Sequence, residues 1–185
     1  MALQFLTILP VGKTIGATEK EIGRSIVYFP LVGLLTGLIL VVFNEVLIRV
    51  FPRGVTDILL ISVLVGITGG LHLDGLADTI DGLAGGNDKE DILKIMRDSH
   101  LGAMGAMSIA IALLIKLAAL TAIPEAIKKE VLLLMPVLSR WSMVYLCFAS
   151  NYAREEGLGS LFVGRTSLLE ELEGEILSLL LLLPE

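Results

Sequence analysis

Residues 101–122 read LGAMGAMSIAIALLIKLAALTA, an apolar run of 22 residues in which Lys116 is the one charge. A helix needs about 17–25 largely apolar residues to cross the hydrocarbon core of a membrane. The run therefore predicts a membrane-spanning helix. Three further apolar stretches lie at 26–43, 58–71 and 131–149. The second has only 14 residues and reaches across only if it continues through His72 into the segment beyond.

The composition agrees with a protein of several membrane spans. The chain has 185 residues, of which 55% are hydrophobic and 18% charged, and its mean hydropathy is +0.84. These values exclude a disordered chain, a basic nucleic-acid-binding domain and a disulfide-stapled secreted domain. We predict an all-α, polytopic integral membrane helix bundle of about four spans, with residues 176–183 as an incomplete fifth. The alternative, a soluble helical bundle, leaves too little polar helix to cover four such segments.

Basic residues in the short loops predict the orientation of the chain. With the N-terminus inside, the inner loops carry Lys13, Lys20, Arg24, Lys89, Lys94, Arg97, Arg154 and Arg165. The outer loops then carry Arg49, Arg53, Lys128 and Lys129. Eight bases against four place the N-terminus in the cytoplasm. The loops after the second and fourth spans then share the cytoplasmic face.

The loop after the second span is rich in acids and begins GGLHLDGLADTIDGLAGG at residues 69–86. On a helix, Asp74, Asp78 and Asp81 stand at i, i+4 and i+7 and share one face. Like charges at this spacing repel, so stability alone does not favour the pattern. Oxygen ligands beside substrate phosphates suit Mg²⁺, and we expect these three side chains to bind it. The alternative is a solvated loop whose aspartates cap helices.

Two further residues of this loop are candidates for the chemistry. Asp98, at the start of the third span, is expected to close the metal site from a second helix. His72 is a candidate ligand or general base, and a histidine at the membrane interface is the alternative. His100 is expected to be interfacial.

Arginines provide candidate partners for an anion. Arg140 lies in the middle of the fourth apolar stretch, where an isolated charge costs at least ~2.5 kcal/mol. It is expected to face inward, towards a carboxylate or a substrate phosphate. Arg154, followed by Gly157 and Gly159, and Arg97 are further phosphate donors. With the acids, they favour metal-assisted phosphoryl transfer.

The acidic run and the sequence IMRDSHLGAMG at 95–105 closely resemble the adenosylcobinamide-GDP ribazoletransferase (cobalamin synthase) family. Further similar stretches are FLTILPVG at 5–12, GRSIVYFPLVGLLTG at 23–37, SRW at 139–141 and NYAREEGLGSLF at 151–162. The resemblance implies one membrane-embedded transferase domain over residues 1–185, short at the C-terminus relative to the family.

The resemblance also implies the reaction. Adenosylcobinamide-GDP and α-ribazole, or α-ribazole 5′-phosphate, give adenosylcobalamin, or its 5′-phosphate, and GMP. The family depends on Mg²⁺ and sits in the cytoplasmic membrane of prokaryotes. It implies that Asp74, Asp78, Asp81 and Asp98 hold the metal, that Asp98 or His72 takes a proton, and that Arg97, Arg140 and Arg154 hold phosphates.

Three alternative functions stay open from the residues. DTIDG at 78–82 matches the opening of the CDP-alcohol phosphotransferase motif, but Leu83 and Ala84 stand where that motif has Ala-Arg. A cation transporter would carry its acids near the middle of the spans, whereas here they follow the end of one. A catalytically incomplete membrane subunit would fold without turnover.

Overall fold

The computed structural model describes residues 1–10, 18–154 and 157–163, and all regular structure in them is helical. The helices are α1 (Ala2–Leu6), α2 (Glu19–Arg24), α3 (Phe29–Leu47), α4 (Arg53–Thr68), α5 (Leu71–Gly85), α6 (Lys89–Ile95), α7 (Ala103–Ala122) and α8 (Lys128–Ala149). The all-α prediction is confirmed for these ranges. The stretch 176–183, expected to form an incomplete fifth span, lies outside the described residues, as do Lys13 and Arg165.

Three helical segments of the described chain are long and apolar enough to cross a membrane. They are Glu21–Leu47, Ala103–Ala122 and Glu125–Ala149, which correspond to the first, third and fourth predicted spans. α4 does not qualify by itself, because it has 16 residues. The predicted count of four spans is therefore reached only if α4 and α5 together count as one broken span.

The chain turns sharply just before His72, through which the second apolar stretch has to continue if it is to reach across. Helices α4 and α5 meet at an angle of 85°. Between them, Gly69 and Gly70 have φ values of 60° and 74°, a left-handed conformation that glycine adopts without steric penalty. The two glycines end α4 and start α5 in a new direction, so the segment that continues through His72 is a bent pair of helices and not one straight helix.

Helices α3 and α8 form the main contact of the bundle. A Cβ atom on Gly33 would lie 2.5 Å from the carbonyl oxygen of Pro136, and one on Gly37 would lie 2.6 Å from that of Leu133. Two glycines four residues apart let the helix backbones approach closely, a packing typical of membrane helices. α3 and α8 therefore pack tightly against each other in one fixed orientation.

Two clusters of buried residues fix the ends of the bundle. Leu40, Leu60, Leu120 and Leu132 bring together α3, α4, α7 and α8. At the other end, the rings of Phe5, Phe29 and Phe162 pack with centroids 5.0–5.9 Å apart. This aromatic cluster attaches the N-terminal helix to α3, close to the turn that leads into α5.

A buried ion pair ties α4 to α8 at the first of these ends. Lys128 Nζ lies 2.5 Å from Asp57 Oδ1, and both residues are fully buried. Thr121 donates a hydrogen bond to the second oxygen of Asp57. Lys128 was counted among the exposed loop bases for the orientation, but the structure places it inside the bundle as the first residue of α8.

Candidate functional site

Helix α5 carries the acidic motif, as the spacing of its residues predicts. Asp74, Asp78 and Asp81 all lie within Leu71–Gly85. The three side chains have different surroundings in the structure. Those of Asp74 and Asp81 indicate a role in stabilising helices, whereas those of Asp78 do not.

Asp81 holds the start of α7. Its Oδ2 accepts a hydrogen bond from the backbone N–H of Gly102 at 2.8 Å, and its Oδ1 accepts one from Gly105 at 2.7 Å. The first N–H groups of a helix have no partner within the helix, and a carboxylate there satisfies them and interacts favourably with the helix dipole. Asp81 therefore acts as a cap for a helix that begins 21 residues later in the chain.

Asp74 also lies where a helix favours an acid. It is in the first turn of α5, and its carboxylate is exposed. A negative charge near a helix N-terminus is typically worth 0.3–1 kcal/mol at the surface. Asp88, further along, caps α6 by accepting the N–H of Asp91. The capping role expected as the alternative is thus present for several of these acids.

Asp78 has no comparable structural role. It lies between Asp74 and Asp81, and the charges of both repel its carboxylate. The opposing charge comes from Arg154, in the segment after α8. The structure therefore brings together two site residues that lie 76 positions apart, one predicted as a metal ligand and one as a phosphate donor.

Asp98 forms a local pair with His100 in the turn between α6 and α7. Asp98 Oδ1 accepts the backbone N–H of His100 at 3.0 Å and lies 2.5 Å from His100 Nδ1. The hydrogen bonds from His100 lower the pKa of Asp98, and the bond to Asp98 raises the pKa of His100. Both residues are exposed, so this pair is held by its own contacts rather than by burial.

The acids of α5 fit a divalent cation that keeps open positions. In the described ranges, no three histidine, cysteine or carboxylate side chains are grouped closely enough to form a complete protein metal centre. Mg²⁺ commonly takes one or two carboxylates and completes its shell with water and substrate phosphates. Asp74 and Asp78 provide such a pair. Ligation of the metal by Asp74, Asp78, Asp81 and Asp98 stays a prediction.

A cavity of about 660 Å³ opens beside Asp74. The N-terminal segment forms one wall through Phe5 and Thr7, and the glycine turn forms another through Gly69 and Gly70. This volume lies within the range of about 300–1,000 Å³ that is typical of ligand sites. The cavity is therefore large enough for an organic ligand, and Asp74 lies in its lining.

A second, smaller cavity lies where α4, α5, α7 and α8 meet. His72 and Arg140 line it together with Lys116 and Ser139, and its volume is about 130 Å³. Arg140 is 3% exposed, which confirms that it faces inward. In the part of the chain that the structure describes, its Nε and Nη2 have no hydrogen-bond partner.

Sequence reasoning missed two contributors to these cavities. Lys116 stood out only as an interruption of an apolar run, although a charge inside a span is by itself a sign of function. Phe5 and Thr7 lie in the stretch FLTILPVG at 5–12, which resembles the family, but neither residue type by itself indicates a site. Arg97 lies exposed in the turn after α6 and lines neither cavity.

Comparison with known proteins gives a consistent result. The model of a protein family described as cobalamin-5-phosphate synthase matches residues 1–184. A Geotalea daltonii protein named adenosylcobinamide-GDP ribazoletransferase is 46% identical over 164 residues, which cover 89% of this chain and 66% of the relative. Proteins with the same name from Acetivibrio thermocellus and Alkaliphilus metalliredigens are 42% and 38% identical, over 94% and 97% of this chain.

The chain spans 66–71% of the length of these three relatives. No solved structure matches the chain.

Proposed function

The chain belongs to the cobalamin-5-phosphate synthase family, and we propose from this premise that it is an adenosylcobinamide-GDP ribazoletransferase acting at a membrane. Its acceptor is α-ribazole or α-ribazole 5′-phosphate, and its second product is GMP. The three apolar helical segments support a location in a membrane, which we assign from the family to the cytoplasmic membrane of a prokaryote. The excess of loop bases on the side of the acidic motif supports a site that faces the cytoplasm.

The observation that carries the proposal is the position of Asp78. Its carboxylate is repelled by two neighbouring acids and attracted by one arginine from a distant segment. A protein that needed α5 only as a helix would gain nothing from this arrangement. A bound cation would offset the three acids, and the phosphates of a substrate would offset Arg154, so the two ligands together account for all four charges.

In the proposed reaction, a ribose hydroxyl of the acceptor forms a bond to the phosphorus on the cobinamide side of the diphosphate. The bond from that phosphorus to the bridging oxygen breaks, and GMP leaves. When the acceptor is the 5′-phosphate, the product keeps that group, so the attacking oxygen belongs to another hydroxyl. The proton of the hydroxyl goes to Asp98 or His72.

Other parts of the site would bind the metal, the diphosphate and the rest of the substrate. Asp74 and Asp78 would hold Mg²⁺, with Asp81 and Asp98 as further ligands, and the metal when bound supplies charge that offsets the developing charge of the leaving GMP. Arg154 and Arg97 would orient the diphosphate as N–H donors. The cavity of about 660 Å³ beside Asp74 would receive the part of the substrate next to the reacting group.

The direct test is release of GMP by the purified chain in detergent or lipid vesicles, with adenosylcobinamide-GDP, an α-ribazole acceptor and Mg²⁺. We expect GMP and the corresponding cobalamin to form in equal amounts, and EDTA to stop both. GMP without the cobalamin would indicate hydrolysis. A well-folded chain with no release under these conditions would contradict the proposal.

A further inference from the structure

The small cavity between α4, α5, α7 and α8 gathers three basic side chains from three helices. His72 begins α5, Lys116 lies in α7 and Arg140 lies in α8. All three residues line the same cavity of about 130 Å³, which brings them close together. Among the described residues, the lining of the cavity includes no aspartate or glutamate. The described lining of the cavity therefore carries positive charge and offers N–H donors.

Of these three side chains, Arg140 has the highest free-energy cost of burial in the cavity. The residue is 3% exposed, and its Nε and Nη2 are buried without a partner in the described part of the chain. A guanidinium stays charged in proteins, so Arg140 cannot escape the cost of burial by losing a proton. Buried charges are normally paired, and an unpaired one within a span marks a ligand pathway or site. An anion bound in the cavity would provide the missing acceptors.

The size and charge of the cavity define that anion. Its volume of about 130 Å³ is well below the 300–1,000 Å³ typical of sites for whole organic ligands, so it receives one group rather than a nucleotide. Arginine and phosphate form bidentate pairs, and lysine adds a second point charge. We propose that this cavity is a binding subsite for a phosphate monoester, whose two negative charges match Arg140 and Lys116.

The assignment of this phosphate to a substrate rests on the proposed function. The reacting diphosphate belongs beside Asp74 and Asp78, whereas the cavity lies across the start of α5, where Thr68 and Leu73 line both cavities. The 5′-phosphate of the acceptor is a non-reacting group at a distance from the attacking hydroxyl. Binding such a remote group orients the reacting atoms. The subsite would therefore make the enzyme selective for the phosphorylated acceptor.

The first experiment tests the subsite without any need for turnover. The full chain is placed in phosphatidylcholine nanodiscs, and its unfolding midpoint is followed against inorganic phosphate at constant ionic strength. We expect a saturable rise. Arg140→Gln should weaken the phosphate affinity about 10- to 100-fold, the loss typical of a charge-assisted pair. Lys116→Gln, at the exposed edge of the cavity, should weaken it too. The exposed Arg49→Gln is the matched control and should respond as the parent does.

Three results would overturn the subsite. The parent chain could show no saturable rise, or Arg140→Gln and Lys116→Gln could keep the parent's phosphate affinity. Arg140→Gln could also unfold several degrees below the parent without phosphate, which would show that a protein group already pairs with the guanidinium. A repeat with phosphatidylglycerol separates the sources of phosphate. If this phosphodiester lipid removes the response, a lipid headgroup occupies the cavity and the monoester assignment is wrong.

The second experiment assigns the phosphate to the acceptor. The ratio of kcat/KM for α-ribazole 5′-phosphate to that for α-ribazole is measured in the parent, in Arg140→Gln and in Arg49→Gln. We expect the ratio to fall about tenfold or more in Arg140→Gln alone. An unchanged ratio would contradict the assignment. A parent chain that binds phosphate but transfers neither acceptor would contradict the proposed function and leave the subsite intact.

Discussion

Asp81 on α5 directs its carboxylate at Gly105 in the first turn of α7, and Oδ1 accepts the Gly105 N–H at 2.7 Å. A Cβ atom on Gly105 would overlap the Asp81 carboxylate and lie 3.0 Å from the carbonyl oxygen of Ala77. The Asp81 carboxylate can therefore occupy this position only because residue 105 has no side chain. This contact fixes the angle at which the third span leaves the acidic motif.

Gly105→Ala should destabilise the protein by about 1–3 kcal/mol, because the added methyl group must displace α5 or the Asp81 side chain. The measurement is thermal unfolding in detergent. Gly66→Ala is the matched control: it lies inside α4 with nothing within 4 Å of its Cβ position, so the gain in helix propensity should leave stability equal or slightly higher. Equal midpoints for the two variants would contradict the close contact.

Asp78→Asn should reduce activity without loss of stability, whereas Asp81→Asn should reduce the stability of the fold. At position 81 the amide offers one acceptor oxygen to two N–H groups, which leaves one unsatisfied at a cost of about 1–3 kcal/mol. At position 78 the change removes a repelled charge, so stability should be kept or increased. GMP release by Asp78→Asn should fall about 100-fold or more, because the metal and the diphosphate lose their anchor.

The two variants are compared in one series, with unfolding midpoint and GMP release measured on the same preparations. Asp91→Asn, an exposed acid on α6, is the control for loss of one negative charge. Full activity of Asp78→Asn would remove Asp78 from the metal site. Full stability of Asp81→Asn would show that its two hydrogen bonds do not hold α7.

The sequence predicts the parts of this fold that depend on local patterns. Apolar runs locate α3, α7 and α8, and the period of the aspartates predicts α5. The 85° turn was not predicted, because glycines at positions 69 and 70 allow both a continued helix and a turn until tertiary contacts decide. Arg154, whose charge acts on Asp78, lies 76 residues further along the chain, and no local pattern encodes this relationship. A capping aspartate and a ligand aspartate also look identical in sequence, so Asp81 could not be distinguished from Asp78.

The Asp57–Lys128 pair should be strongly coupled. Both residues are fully buried, so Lys128→Met leaves the Asp57 charge without its cation, at a cost of about 3–5 kcal/mol. Asp57→Asn leaves Lys128 with Glu125 Oε1, 3.6 Å away, and should cost less. The double variant removes both charges and should be much less destabilised than the sum of the single variants. Thermal unfolding of the four proteins completes the cycle.

The exposed pair of Glu45 and Lys129, 3.0 Å apart, is the control and should couple by less than about 1 kcal/mol. Additive effects at Asp57 and Lys128 would contradict the buried pair.

The Asp98–His100 pair predicts a pH dependence outside the spans. The hydrogen bond and charge of Asp98 raise the pKa of His100, and His100 lowers the pKa of Asp98. The raised histidine pKa contributes stability below the unfolded value of about 6.5, which is lost as the pH rises through the folded pKa. The lowered aspartate pKa contributes stability above about 3.9, which is lost as the pH falls through its folded pKa. The local turn should therefore be most stable between about pH 4 and 6.5.

The measurement is an NMR titration of the two histidines of the chain, with His100→Gln to assign the signals. The pKa of His100 should lie above its ordinary value in the parent and return towards it in Asp98→Asn, because the acceptor of its Nδ1–H loses its charge. Asp91→Asn should leave the pKa of His100 where it is. A parent pKa at the ordinary value, or one that Asp98→Asn does not move, would contradict the pair. Addition of Mg²⁺ alone then tests the predicted ligand role: if Asp98 binds the metal, the pKa of His100 falls, because the carboxylate no longer stabilises the protonated ring.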